Sequence, residues 1–167
     1  MTDLRPVVTA SSEAAELPFL ATTHRVLVPA AATGGALSAL DAGIVPTGFA
    51  PPLHQHLSEH ELFIVASGAV RFVAGDVTQV VEGSGMAFLP AREAHSFQVL
   101  HDAQMYVLTV PSGLALAGNY ERFVMAVSAL SGAAAPTDEE LFGRLATLGA
   151  QHDIPIVGPP PQMQESA

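Results

Sequence analysis

Five histidines fall between positions 54 and 101 of a chain that carries only six cationic and sixteen acidic side chains. Three of them, with one acid, stand at spacings that suit a metal. In a strand, residues two apart face the same side, so His54 and His56 present two imidazoles together. The turn-like residues 57–60 follow, and Glu61 opens the apolar run Glu61-Leu-Phe-Ile-Val, which carries a carboxylate back across the turn. His95 lies in a later strand, after Pro90. Three imidazoles and one carboxylate make a site for one divalent transition ion: Fe, Mn, Ni, Co or Cu, with Zn also admissible. Four protein ligands close a tetrahedral zinc, whereas a six-coordinate ion keeps two positions for a substrate oxygen and for water or dioxygen. A glutamate that is a displaceable ligand doubles as a general base toward an enol or phenol, which makes Glu61 the candidate catalytic residue. Glu59 and His60 sit in the turn and read as rim or solvated residues, His60 within reach of a substrate. His24, His101 and His152 read as ordinary histidines with no part in the site.

The elements that must position these ligands are short. Residues 24–29 read as a strand and Gly34-Gly35 as a turn. From Ala36 to Val110, segments rich in Val, Ile, Phe and Leu are punctuated by turn signals: Ser67-Gly68, Ala74-Gly75-Asp76, Gly83-Ser84-Gly85, Pro90 and His101-Asp102. No segment there keeps a helical period, and many short strands predict an antiparallel sandwich or barrel. The pattern changes at Asn119, a candidate N-cap, with Phe123, Val127 and Leu130 at helical spacing over 119–130. A capping box, Thr137 to Glu140, opens a second helix over 138–149, whose stripe is Leu141, Leu145 and Leu148 and whose stop is Gly149. The segment 158–167 reads as a mobile tail. The expectation is one domain, 1–167: an all-β barrel of about 36–110 with two short C-terminal helices outside it.

Composition excludes several functions. The chain has 167 residues, 49% hydrophobic and 13% charged, which is far from the low-hydrophobicity, high-charge signature of disorder. It has no cysteine, so disulfides, Cys-ligated zinc, iron–sulfur clusters and thiol nucleophiles are absent. All six cationic residues are arginine, which excludes a Schiff-base or P-loop lysine. A net charge of −10 repels phosphate backbones, so no nucleic-acid partner is expected. The uncharged run 103–120 is interrupted by Pro111, Gly113 and Gly118 and reads as a strand and loop, not a membrane span. The first sixteen residues hold charges where a signal peptide needs an apolar run, so the expected location is the cytoplasm. A mean hydropathy of +0.37 predicts an apolar outer face and hence a homodimer, with the strand near Arg25–Val28 reaching across.

The stretch Gly48-x5-His54-x-His56-x4-Glu61-x6-Gly68 resembles the first cupin motif at every spacing. Pro90-x-Arg92-x2-His95 resembles the second, with two departures: Arg92 stands where a glycine is usual, and Val99 where an asparagine is usual. Ser84-Gly85 replaces the usual Gly-Asp. The resemblance covers about 40–110 and implies a double-stranded β-helix, or jelly-roll, barrel with His54, His56, Glu61 and His95 as metal ligands. The metal loop, and Tyr120-Glu-Arg-Phe123 after Pro111-Ser-Gly, are most similar to the single-domain quercetin 2,3-dioxygenase-like cupins.

Strand parity gives a first view of the substrate. If Glu61 points inward, so do Phe63 and Val65; if His95 does, so do Phe97 and Val99. The resulting pocket is apolar with one metal centre and suits a small apolar organic molecule carrying an enol or carbonyl oxygen. The resemblance implies a dioxygenase acting on a flavonol-like or other enol, with dioxygen as co-substrate. The alternatives are a non-oxidative cyclase, isomerase or lyase using the metal as a Lewis acid, and a binding protein without turnover.

Overall fold

Alternation of apolar and polar residues drives the central strands to bury one face, and the result is a curled antiparallel sheet. The structure, a computed structural model, describes residues 4–130 and 138–161. Nine strands are present among them: β1 Leu17–Phe19, β2 Thr22–Val28, β3 Ser38–Val45, β4 Leu53–His54, β5 Glu59–Ala74, β6 Val77–Glu82, β7 Gly85–Leu89, β8 His95–Pro111 and β9 Ile156–Gly158. Two helices, α1 Asn119–Ala129 and α2 Asp138–Gln151, pack outside the sheet. The order β1-β2-β3-β8-β4-β9 forms one path, and β5 pairs with β6, β7 and β8. Every pairing is antiparallel. The architecture is the expected all-β jelly-roll barrel with two short helices.

Two expected turns are not turns. Ser67-Gly68 and His101-Asp102 lie inside the long strands β5 and β8, where the pairing shifts register between Val65 and Val70. Such bulges bend a strand without ending it, which lets two long strands serve both halves of the barrel. Gly68 has φ +94°, and a Cβ there would lie 2.3 Å from the Asp102 carbonyl oxygen, so the bulge requires glycine. The turns at Gly75-Asp76 and Gly83-Ser84 form as expected.

The core holds Leu40, Val65, Val70, Val99, Met105 and Val107 inside the barrel, joined by Phe123, Val124 and Val127 of α1 and Leu145 of α2. Asn119 is not the N-cap of α1. Gly118 holds that place, and the amides of Gly118, Asn119 and Tyr120 all donate to the Glu59 carboxylate. The negative charge also complements the helix dipole. Glu59, expected to be solvated, is 1% exposed. Helix α2 runs past Gly149 to Gln151; that glycine is needed instead for close approach, because a Cβ there would meet the Ile154 carbonyl oxygen at 2.3 Å. The Thr137 half of the predicted capping box lies outside the described residues. The predicted tail is partly ordered: Gly158 ends β9 opposite Leu53, and the Pro159 carbonyl accepts from the Leu53 amide at 3.3 Å. Residues 162–167 lie outside the described residues. Among the described residues, no helix is long and apolar enough to cross a membrane.

Candidate metal centre

His54, His56, Glu61 and His95 come together, with one ligand atom from each lying within 4.8 Å of all the others. Three elements bring them there. His54 ends β4 and stands directly opposite His95, the first residue of β8. Glu61 lies on β5 between Leu89 of β7 and Thr109 of β8. His56 sits in the connection between β4 and β5.

That connection is short and irregular, so its backbone groups need partners from elsewhere. The Gln55 and Leu57 amides donate to the carbonyls of Pro155 (3.1 Å) and Asp153 (2.8 Å). On the other side, the Arg92 amide donates to the His56 carbonyl at 2.7 Å, and the Gln55 side chain donates to the Arg92 carbonyl at 3.0 Å. Arg92 adopts φ +69°, a left-handed conformation that explains why glycine suits this position. Its Nε donates to the Leu57 carbonyl at 3.3 Å.

The ring hydrogens are set by backbone carbonyls, which can only accept. His54 Nδ1 lies 2.8 Å from the Pro52 carbonyl oxygen, and His95 Nδ1 lies 2.9 Å from that of Glu93. Both rings therefore carry hydrogen on Nδ1 and turn Nε2 toward the cluster, the usual way in which an outer hydrogen bond orients an imidazole ligand. His95 Nε2 is 2.8 Å and His56 Nε2 3.3 Å from Glu61 Oε2. His56, Glu61 and His95 are each 1% exposed, and both ring nitrogens of His56 and Oε1 of Glu61 have no hydrogen-bond partner. Buried polar atoms are normally paired, so one ring nitrogen of His56 and the Glu61 carboxylate, beside His54 and His95, fit a divalent ion as the missing partner, and the second His56 nitrogen is left without one.

Electrostatics agree with that reading for His54, His56 and Glu61. Burial lowers His54, helped by His95, and lowers His56 to about 3, so both are neutral and able to ligate. Burial alone would raise Glu61, but His56, His95 and His54 outweigh it and bring the carboxyl down to about 2. His95 moves the other way: burial works to lower it, and the hydrogen bond and charge of Glu61 raise it.

His54, His56 and Glu61 of the cluster line an apolar cavity of about 70 Å³. Phe63 and Phe97 line it, as parity predicted, together with Phe49, Tyr120 and Ile154. Val65 and Val99 do not; each is 1% exposed in the barrel core. Met86 and Phe88, more than half exposed, belong to the outer face. His60 also faces away from the cluster: its Nδ1 accepts from the Ala91 amide at 2.9 Å and its ring lies 5.4 Å from Phe88. The sequence reading missed His24 and Tyr120, which both line the cavity and meet through a 3.1 Å hydrogen bond. For His24 the available signal was its parity with Val26 of the same strand, which packs against the core.

A search of curated proteins finds no match to this sequence. Solved structures match the fold. Ectoine synthase from P. lautus gives a TM-score of 0.56 at 17% identity, covering 64% of this chain and 78% of that one. The cupin domain of Cnp3 from Schizosaccharomyces pombe gives 0.55 at 14%, covering 71% and 81%. The polyketide cyclase RemF from Streptomyces resistomycificus gives 0.51 at 18%, covering 71% and 95%. The family model for the AraC-like ligand binding domain matches residues 35–148, from the residues just before β3 through most of α2. With the barrel and the spacing of its histidine motif, that match makes the chain a member of the AraC-like ligand-binding family within the cupin superfamily.

Proposed function

We propose that the protein is a metal-dependent enzyme acting on a compact, mostly apolar molecule that carries an enol or carbonyl oxygen. The observation that carries this reading is the set of buried, unpartnered ligand atoms on His56 and Glu61, two residues that line an apolar cavity. A divalent ion held by His54, His56, Glu61 and His95 would supply Lewis acidity toward that oxygen and, if redox-active, a means of activating dioxygen. Glu61 would be both ligand and base. Its Oε2 lies against the imidazoles and its Oε1 has no partner, so with an ion on one oxygen the other would remain to take the proton of an enol. Phe63 and Phe97 would flank the flat part of the substrate and exclude water.

Two reaction classes use such a site. The likeness of the metal loop to quercetinase-like cupins supports a dioxygenase. The cavity supports the non-oxidative class, a cyclase, isomerase or lyase, because it is smaller than the ~150 Å³ that takes a benzene ring. A three-ring flavonol would require the walls to part, whereas a compact enol would need much less. The polyketide cyclase RemF has the same fold, which supports the view that such a barrel hosts cyclisation. Metal analysis of the purified protein, followed by turnover of small enols with and without oxygen, tests the proposal. Activity that follows metal content is expected. Oxygen uptake would assign a dioxygenase, and product formed under argon a Lewis-acid enzyme. Metal-loaded protein inert toward every enol would leave a binding protein. A homodimer is also part of the proposed picture.

A further inference from the structure

Tyr120, the second residue of α1, lines the cavity with its ring 5.7 Å from that of His56. Its hydroxyl is the end of a buried chain of polar groups. Tyr120 Oη lies 3.1 Å from His24 Nε2, His24 Nδ1 lies 3.1 Å from Thr22 Oγ1, and Thr22 Oγ1 donates to the Phe19 carbonyl at 2.8 Å. All three side chains are buried.

The hydrogens in this chain are fixed by counting. A carbonyl only accepts, and a hydroxyl has one hydrogen to give. Thr22 gives its hydrogen to Phe19, so its oxygen accepts from His24, and the imidazole hydrogen resides on Nδ1. Burial lowers His24 to about 4, against the pull of Asp41, so the ring is neutral near pH 7 and Nε2 keeps a lone pair. Tyr120 donates to that lone pair. The phenol then has no hydrogen left, and any further contact it makes is as an acceptor.

We infer that Tyr120 is an acceptor subsite of the cavity, positioning a ligand that bears an O–H or N–H donor beside the histidine cluster, while His24 and Thr22 hold the phenol hydrogen away from it. The inference rests on the proposed reading of a metal-bound organic ligand and adds its chemical class: hydroxyl- or amine-bearing molecules are selected over their O- or N-methylated counterparts. Tyr120 is the specificity-determining group, and His24 and Thr22 are positioning residues that act through it.

Two measurements test it. Long-range proton–nitrogen NMR on the full chain with labelled histidine reads the His24 tautomer without any metal. Hydrogen on Nδ1 is expected, and hydrogen on Nε2 would overturn the inference. Calorimetry on nickel-loaded protein, whose six-coordinate ion keeps positions open, then compares glycolate with methoxyacetate, two small acids that differ by the hydroxyl hydrogen. The wild type should favour glycolate by about 3- to 10-fold more than Tyr120→Phe does, the worth of one neutral hydrogen bond. Tyr120→Phe should bind nickel with unchanged stoichiometry, and Thr22→Val should shift the His24 tautomer and weaken the preference. A preference retained in Tyr120→Phe, or no binding of either acid, would overturn the subsite. Failure of the wild type to take up nickel would instead overturn the metal reading, and the tautomer would still decide which way Tyr120 donates.

Discussion

His54 and His95 each commit Nδ1 to a backbone carbonyl, so each contributes to the cluster a nitrogen whose direction is fixed before any ion arrives. Loss of one such ligand leaves too few donors for a four-ligand site. His95→Ala should abolish bound metal, measured by elemental analysis, whereas Glu61→Gln, which keeps a carbonyl oxygen in place, should lose far more turnover than metal. General base catalysis is worth about 100- to 10,000-fold, so an equal loss of both would reduce Glu61 to a ligand. His24 gives a pH prediction. Its ordinary pKa of 6.5 falls to about 4 on folding. Between those values the unfolded chain binds more protons than the folded one, so stability rises with pH there. This contribution is complete above about 6.5 and is lost as pH falls toward 4, by roughly 3 kcal/mol. Urea unfolding of metal-free wild type and His24→Gln at pH 7 and 4.5 should show the smaller pH dependence in the variant. The metal ligands were legible because type and spacing act together. Glu59 was misread as solvated although it lies two residues before Glu61, and strand parity alone would have turned it inward.

At the scale of elements, Arg92 separates backbone from side-chain effects. Its left-handed φ disfavours any side chain by about 1–2 kcal/mol, while its Nε contact with Leu57 is long and exposed. Arg92→Gly relieves the backbone and loses the contact; Arg92→Ala loses the contact and keeps the strain. Thermal melts should rank Arg92→Gly at or above wild type and Arg92→Ala below both. An alanine variant as stable as the glycine variant would remove the backbone argument. The alternating strands and the apolar stripes of α1 and α2 were readable in the sequence because burial of one face imposes a period. The bulges in β5 and β8 were not. Glycine beside serine signals a turn as readily as a bend within a strand, and only the partner strand distinguishes them. Strand β9 was hidden for a related reason. A proline-rich segment lacks donors, yet the carbonyls of Pro155 and Pro159 remain free to accept from the ligand loop.

Over the whole molecule, the charged and polar surface is broken on β6 and β7, where Val77, Val80, Met86 and Phe88 are all at least 40% exposed. The segment Arg25–Val28, expected to reach across a dimer, pairs with β3 of its own chain. A second candidate for the proposed dimer interface is the outer face of β7, where Met86 and Phe88 stand on the same side of the strand and expose large apolar side chains. Sedimentation at micromolar concentration should show twice 17.3 kDa, and Phe88→Glu should shift the species to the monomer. A wild type that sediments as a single chain would end the dimer proposal without touching the site.

The burial of the cluster carries one more consequence, for rates. His56, Glu61 and His95 are all but sealed from solvent, only His54 is partly exposed, and the loop between them is tied on both sides, so a bulky chelator would have little direct access to an ion held by the four. Exchange is expected to wait for a local opening of the wall. Stripping by a strong chelator should then follow a single exponential whose rate constant levels off as chelator concentration rises, the plateau being the opening rate itself. Stopped-flow measurement over a wide range of chelator concentration reads it directly. A rate that keeps climbing in proportion to chelator would mean that the ion is reached from outside.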